Sequence, residues 1–130
     1  MILGIRTDKP EAELYLHDGK LKPRSYTWTA HRELSNTLLS SIETFLAEQG
    51  ITLQNITGIA FFRGPGSFTG LRIGATTANA LAYALGIPLS LGSGDAWLEE
   101  AIQAMPDSYQ SSKPLDLNYG ADPRITQPRK

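Results

Sequence analysis

A chain of 130 residues has room for one domain with a buried core and little for two lobes around a cleft. Its 41% apolar and 19% charged residues suit an ordinary globular protein, and a formal net charge of -1 excludes the basic excess of a stand-alone nucleic-acid binder. Without cysteine there are no disulfides or thiolate metal sites. No apolar run has the length of a signal peptide or a membrane span, so cytoplasm is the expected location.

Ile2 to Thr7 reads as a short buried strand, broken by Asp8-Lys9-Pro10. Glu11 to His17 alternates, with Ala12, Leu14 and Leu16 on one face and Glu11, Glu13 and Tyr15 on the other. Asp18-Gly19 predicts a hairpin turn, because a tight turn needs positive φ. Leu21 to Trp28 returns as a third strand, and Pro23 marks it as an edge or a bulge. Helical spacing follows. Leu34, Leu38, Ile42 and Phe45, with Leu39 and Leu46, form one apolar stripe, closed by Gly50. Ile56 to Phe62 is mostly apolar, as a strand buried on both faces would be. Leu71 to Leu85 reads as a second helix, closed by Gly86 and Pro88. Pro88 to Leu91 reads as a short strand, and Ala96 to Ala104 as a third helix stopped by Pro106. The order predicts an α/β domain over 1–105, with a mixed five-stranded sheet and three helices. The remainder, 106–130, reads as an extended tail.

RGPGSFTGLRIG, Arg63 to Gly74, joins the fourth strand to the second helix. A strand, a glycine turn and a helix N-terminus can cradle phosphate, since free N–H groups and the helix dipole favour an anion. The spacing argues otherwise. Gly64, Gly66 and Gly70 miss the G-x-G-x-x-G pattern because Thr69 holds its third glycine position, and Gly70 is followed by Leu71-Arg72 instead of Lys-Ser/Thr. The pattern favours a tight turn with Ser67 or Thr69 capping the helix. Arg63 and Arg72 flank the loop and could pair with phosphate or with a partner's carboxylate. In the helix, Gly70, Gly74, Ala78 and Ala82 recur every four residues as a ridge of small side chains, with Leu71, Ala75, Leu81 and Leu85 beside it. With the Leu34–Leu46 stripe, this is much apolar face for a small domain, which suggests a partner surface at Leu34, Leu38, Ile42, Phe45, Leu71, Gly74, Ala75, Ala78 and Ala82. His17 and His31 lack ligand-spaced neighbours, Glu99-Glu100 point apart on a helix, and Ser67 has no assigned base, so neither a metal nor a catalytic residue is expected.

The loop residues Arg63, Gly64, Pro65, Gly66, Ser67, Phe68, Thr69, Gly70 and Arg72 closely resemble the signature of the TsaB (YeaZ) family. ILGIRT, ELSNTLLSSIETFL and ALGIPLSLGS resemble its first strand, first helix and next helix end with strand. The resemblance covers about Met1 to Ala104, with a weaker match at Pro114-Leu115 and Pro123–Thr126. It implies a single actin-like ATPase (ribonuclease H-like) domain, here in a short form. It also implies a non-catalytic subunit, without cofactor or metal, that serves N6-threonylcarbamoyladenosine formation at position 37 of tRNA. The implied partners are TsaD, bound through the first two helices as a heterodimer, and TsaE through the complex. A homodimer remains open for the chain alone, as does direct contact with tRNA. The sequence departs from that pattern at Arg6, where actin-like ATPases carry a carboxylate that helps hold metal, and at Leu34-Ser35 and Ser40. Arg6 and the short length point away from catalysis. The alternative is a small ATP-binding phosphotransferase or ATPase that uses the Gly64–Gly70 loop.

Overall fold

A computed structural model describes residues 1–19 and 22–109 of the chain. Ile2–Arg6 (β1) is the middle strand of a five-stranded sheet, and its Leu3, Gly4 and Ile5 are buried. It runs antiparallel to Glu11–His17 (β2), with Arg6 opposite Glu13, and parallel to Gly58–Phe62 (β4), with Ile2 opposite Gly58. Arg24–Thr29 (β3) forms one edge against β2, and Leu89–Gly92 (β5) the other against β4. The order is β3-β2-β1-β4-β5, a mixed sheet as expected.

The two faces of the sheet are covered unequally. Leu34–Glu48 (α1) and Phe68–Leu85 (α2) lie on one face, where Leu38, Ile42, Phe45 and Leu71 meet Leu3, Ile5, Leu14, Leu16, Ile59 and Phe61. Trp97–Gln103 (α3) lies on the other, where Trp97, Leu98 and Ala101 meet Ala60 and Phe62. The strand alternation makes this possible: Ile59 and Phe61 of β4 point one way, Ala60 and Phe62 the other. Each large side chain buried in this way contributes about 1.5–3 kcal/mol before the cost of ordering the chain.

The structure shifts some predicted boundaries. β3 starts at Arg24, and Leu21 lies outside the described residues. β3 is an edge strand, the position Pro23 suggested. α2 starts at Phe68, three residues before the first apolar residue of its stripe, because Ser67 accepts from Gly70 N and caps it. Short 3-10 turns at His31–Glu33 and Leu53–Asn55 have too few residues to leave a periodic trace in the sequence. Most of the expected tail, residues 110–130, lies outside the described residues.

One expectation is overturned by burial. Leu34, Leu38, Ile42, Phe45, Leu71, Ala75, Ala78 and Ala82 are each at most 5% exposed, and Gly74 is buried with them. The chain's own sheet covers the faces that were expected to await a partner. Ala78→Trp would therefore break the core, and any docking through α1 and α2 has to use their outward sides.

Candidate functional site

The loop after β4 is held from both sides. Arg63 N donates to Gly92 O at 3.0 Å, which ties the end of β4 to the end of β5, and Ser67 N donates to Asp8 O at 3.0 Å. Between these anchors Gly64 has φ 110, a conformation a side chain rarely adopts. The Gly64–Pro65 peptide bond is cis, and the Pro65 ring is exposed at the tip of the turn. Ser67 then starts α2 twice over: its Oγ accepts from Gly70 N at 3.2 Å and its carbonyl from Leu71 N at 2.9 Å.

The remaining glycines meet the chain itself. A Cβ on Gly66 would collide with Asp8, one on Gly70 with the Thr7 carbonyl, and one on Gly74 with Thr7 Oγ1 and, at 2.7 Å, with Phe61 Cε1. Thr7 is 1% exposed, and its hydroxyl donates to Gly70 O at 2.8 Å. Three glycines spaced through the loop and the first turns of α2 thus let the end of β1 lie directly against them.

Beside this junction lies a cavity of about 500 Å³, formed by Thr7 to Pro10, by Ala30 to Arg32 with Leu34, and by Ser67, Thr69, Gly70 and Ile73. Its polar lining residues are Thr7, Ser67 and Thr69, the basic Lys9, His31 and Arg32, and Asp8. Such a lining suits a small anionic or hydroxylated ligand better than a cation. Both Asp8 oxygens are taken: Arg6 Nε donates to Oδ1 at 2.8 Å and Nη2 to Oδ2 at 3.3 Å. The same guanidinium lies 3.9 Å from the centroid of the Phe62 ring.

The network continues along β2. Lys9 Nζ lies 2.8 Å from Glu13 Oε2, and Tyr15 donates to Glu13 Oε1 at 2.6 Å. Burial raises the Glu13 pKa, but the hydrogen bonds from Lys9 and Tyr15 and the charges of Lys9 and Arg6 outweigh it and hold the carboxyl below its ordinary value. Burial, the hydrogen bond to Glu13 and that residue's charge push Tyr15 up to about 12. Burial opposes the charge on Arg6, yet Asp8 and Glu13 keep its pKa above the ordinary value.

The predicted loop residues are therefore only partly brought together. Ser67, Thr69 and Gly70 line the cavity; Arg63, Gly64, Pro65, Gly66, Phe68 and Arg72 do not. Arg72 lies over the Phe68 ring, 5.5 Å from its centroid. The sequence did not single out the cavity's basic residues, because Asp8-Lys9-Pro10 reads as a strand break and His31 lacks ligand-spaced neighbours. His31 has φ 47, uncommon for a residue with a side chain. Among the described residues no group of three or more His, Cys, Asp or Glu could hold a metal, and no helix is long and apolar enough to cross a membrane.

Residues 28–93 match the family model described as TsaD: tRNA N6-adenosine threonylcarbamoyltransferase. Over 60 residues the chain is 42% identical to the tRNA threonylcarbamoyladenosine biosynthesis protein TsaB of Haemophilus influenzae, covering 46% of this chain and 25% of that protein. It is 41% identical over 61 residues to a tRNA N6-adenosine threonylcarbamoyltransferase of Geotalea uraniireducens, covering 47% of this chain and 18% of that one. Among solved structures, YeaZ from Pseudomonas aeruginosa matches with a TM-score of 0.64 and 33% identity, over 71% of this chain and 43% of that chain. The chain spans a quarter or less of the length of these two curated relatives. The mixed sheet, with α1 and α2 on one face, has the actin-like (ribonuclease H-like) fold.

Proposed function

The chain belongs to the tRNA N6-adenosine threonylcarbamoyltransferase family, as a member of the TsaB (YeaZ) kind, and from that membership we propose that it serves threonylcarbamoyladenosine formation on tRNA as a non-catalytic subunit docked on a TsaD-type transferase. The observation that carries this reading is the Arg6–Asp8 pair. The carboxylate nearest the glycine loop has both oxygens bound by an internal cation, so neither is free to ligate a metal. The loop's glycines face Thr7 and Asp8, which supports a structural role for the motif. Docking through α1 and α2 then falls to their outward sides, where Leu39, Phe68 and Tyr83 are 47%, 51% and 70% exposed.

The test is to mix the purified chain with TsaD from its own organism and measure association by calorimetry. Modified adenosine is then followed with TsaE, tRNA and the threonylcarbamoyl donor present. Association and a rise in product are expected. The lack of both a complex and a rise in product would refute the reading.

The basic and hydroxyl lining of the cavity favours one alternative, nucleotide binding by the chain itself. That alternative predicts heat on titration with ATP and Mg²⁺, and its absence would remove it.

A further inference from the structure

Helix α2 presents a second, outward stripe. Phe68, Arg72, Thr76, Asn79 and Tyr83 follow one another at steps of three or four and are all exposed. Two aromatic rings mark its ends. Between Arg72 and Tyr83 the exposed side chains of Thr76, Asn79 and Ala80 are short, which leaves that part of the backbone open to close approach. It is the kind of surface another helix can pack against.

The chain returns to one end of this stripe. α3 closes at Gln103 on the opposite face of the sheet. Met105 then lies beside the start of β4, where its Cε would be 3.3 Å from a Cβ placed on Gly58. Tyr109 comes out on the α1–α2 side and packs against that core. Its ring meets Tyr83 edge-on, with centroids 5.8 Å apart and planes at 65°. Tyr83 remains 70% exposed with Tyr109 beside it, so the cover is shallow.

We infer that Tyr109 is a displaceable clasp on the C-terminal end of the outward α2 stripe, and that a transferase docking there must first move it. The inference rests on the proposed docking function and names its regulation. An edge-to-face aromatic pair biases the closed arrangement by a factor of about 2 to 12. A partner that binds only the open form sees its affinity reduced by the open fraction. The clasp therefore acts as a modest brake, one that a second contact near Tyr109 could release.

The experiment uses the full chain as wild type, Tyr109→Ala, Tyr109→Leu and Tyr109→Phe, each first shown to be folded by its thermal melt. The leucine variant keeps apolar packing against the core should alanine lose it. TsaD from the same organism is titrated into each. The expected result is about two- to tenfold tighter binding for the Ala and Leu variants and wild-type binding for Phe. Equal or weaker binding of both the Ala and Leu variants, with wild type still binding, overturns the clasp alone, because the ring is then idle or part of the interface. No binding by any of the chains overturns the docking function and the clasp together.

Discussion

Gly70→Ala is the sharpest probe of how the loop works. The new Cβ would overlap the Thr7 carbonyl, far inside the 3.0 Å below which real Cβ atoms essentially never come. That oxygen is backbone, at the end of a strand paired on both sides, so it cannot swing away as a flexible side chain would. Either β1 or the first turn of α2 must retreat. Retreat breaks the 2.8 Å hydrogen bond from Thr7 Oγ1 to Gly70 O and stretches the 3.0 Å bond from Ser67 N to Asp8 O. Overpacking costs about 1–3 kcal/mol, and each compromised bond adds about 1 kcal/mol. Alanine recovers about 1 kcal/mol of helix propensity, which leaves a net loss of about 3 kcal/mol. Urea unfolding should show a midpoint lower by about 1–3 M, given a slope of about 1–3 kcal/mol per M. Gly86→Ala is the control: Gly86 has φ 67 with nothing within 4 Å, so only the left-handed conformation is penalised, at about 1–2 kcal/mol. A Gly70→Ala chain as stable as wild type, or more stable than Gly86→Ala, would refute the close-approach explanation.

Three further outcomes follow from the same geometry. Ser67→Ala removes the cap of α2 and should cost about 1 kcal/mol in urea unfolding, with the helix otherwise retained by circular dichroism. Tyr15, whose folded pKa is raised from 10.0 to about 12, contributes stability that is complete below 10.0 and lost as pH rises through about 12. Tyr15→Phe should flatten the alkaline fall in stability over that window, measured by denaturant midpoints at each pH. Glu13 has the opposite sign: its folded pKa is lowered from 4.5, so its contribution is present above 4.5 and lost as pH falls through the folded value. Glu13→Gln keeps an oxygen for Tyr15 and should weaken the acid dependence below 4.5 without removing the fold.

Much of the fold can be read along the chain because each element carries its own period. Ala12, Leu14 and Leu16 alternate and are buried; Leu34, Leu38, Ile42 and Phe45 repeat helically and are buried; the β4 residues are buried throughout. Periodicity names an apolar face but not what covers it, and there the expectation of faces left open for a partner failed. The inner face of the sheet offers Leu3, Ile5, Leu14, Ile59 and Phe61, enough to cover both helices from within. The small-residue ridge misled for the same reason: Gly70 and Gly74 are small because Thr7 and Phe61 press on them, not another helix. The cavity was illegible because its walls come from three separate segments, of which only the glycine loop stands out in the sequence.

A glycine-rich turn between a strand and a helix can serve two incompatible ends, and the direction in which the missing Cβ atoms point decides between them. If those directions opened into the cavity, the glycines would be there to admit a ligand. In this chain those of Gly66, Gly70 and Gly74 lead into Thr7, Asp8 and Phe61 instead, and the space is already filled. The cavity lies alongside, bounded by side chains and by the exposed edge of the same loop. One short motif therefore locks the end of β1 to the start of α2, and through Asp8 it is joined to Arg6, whose cation lies over Phe62 at the end of β4. The locked junction fixes the axis of α2 relative to the sheet. The docking proposed for the outward side of that helix would need its axis held in one place, and the contacts of the loop with Thr7 and Asp8 supply such a hold.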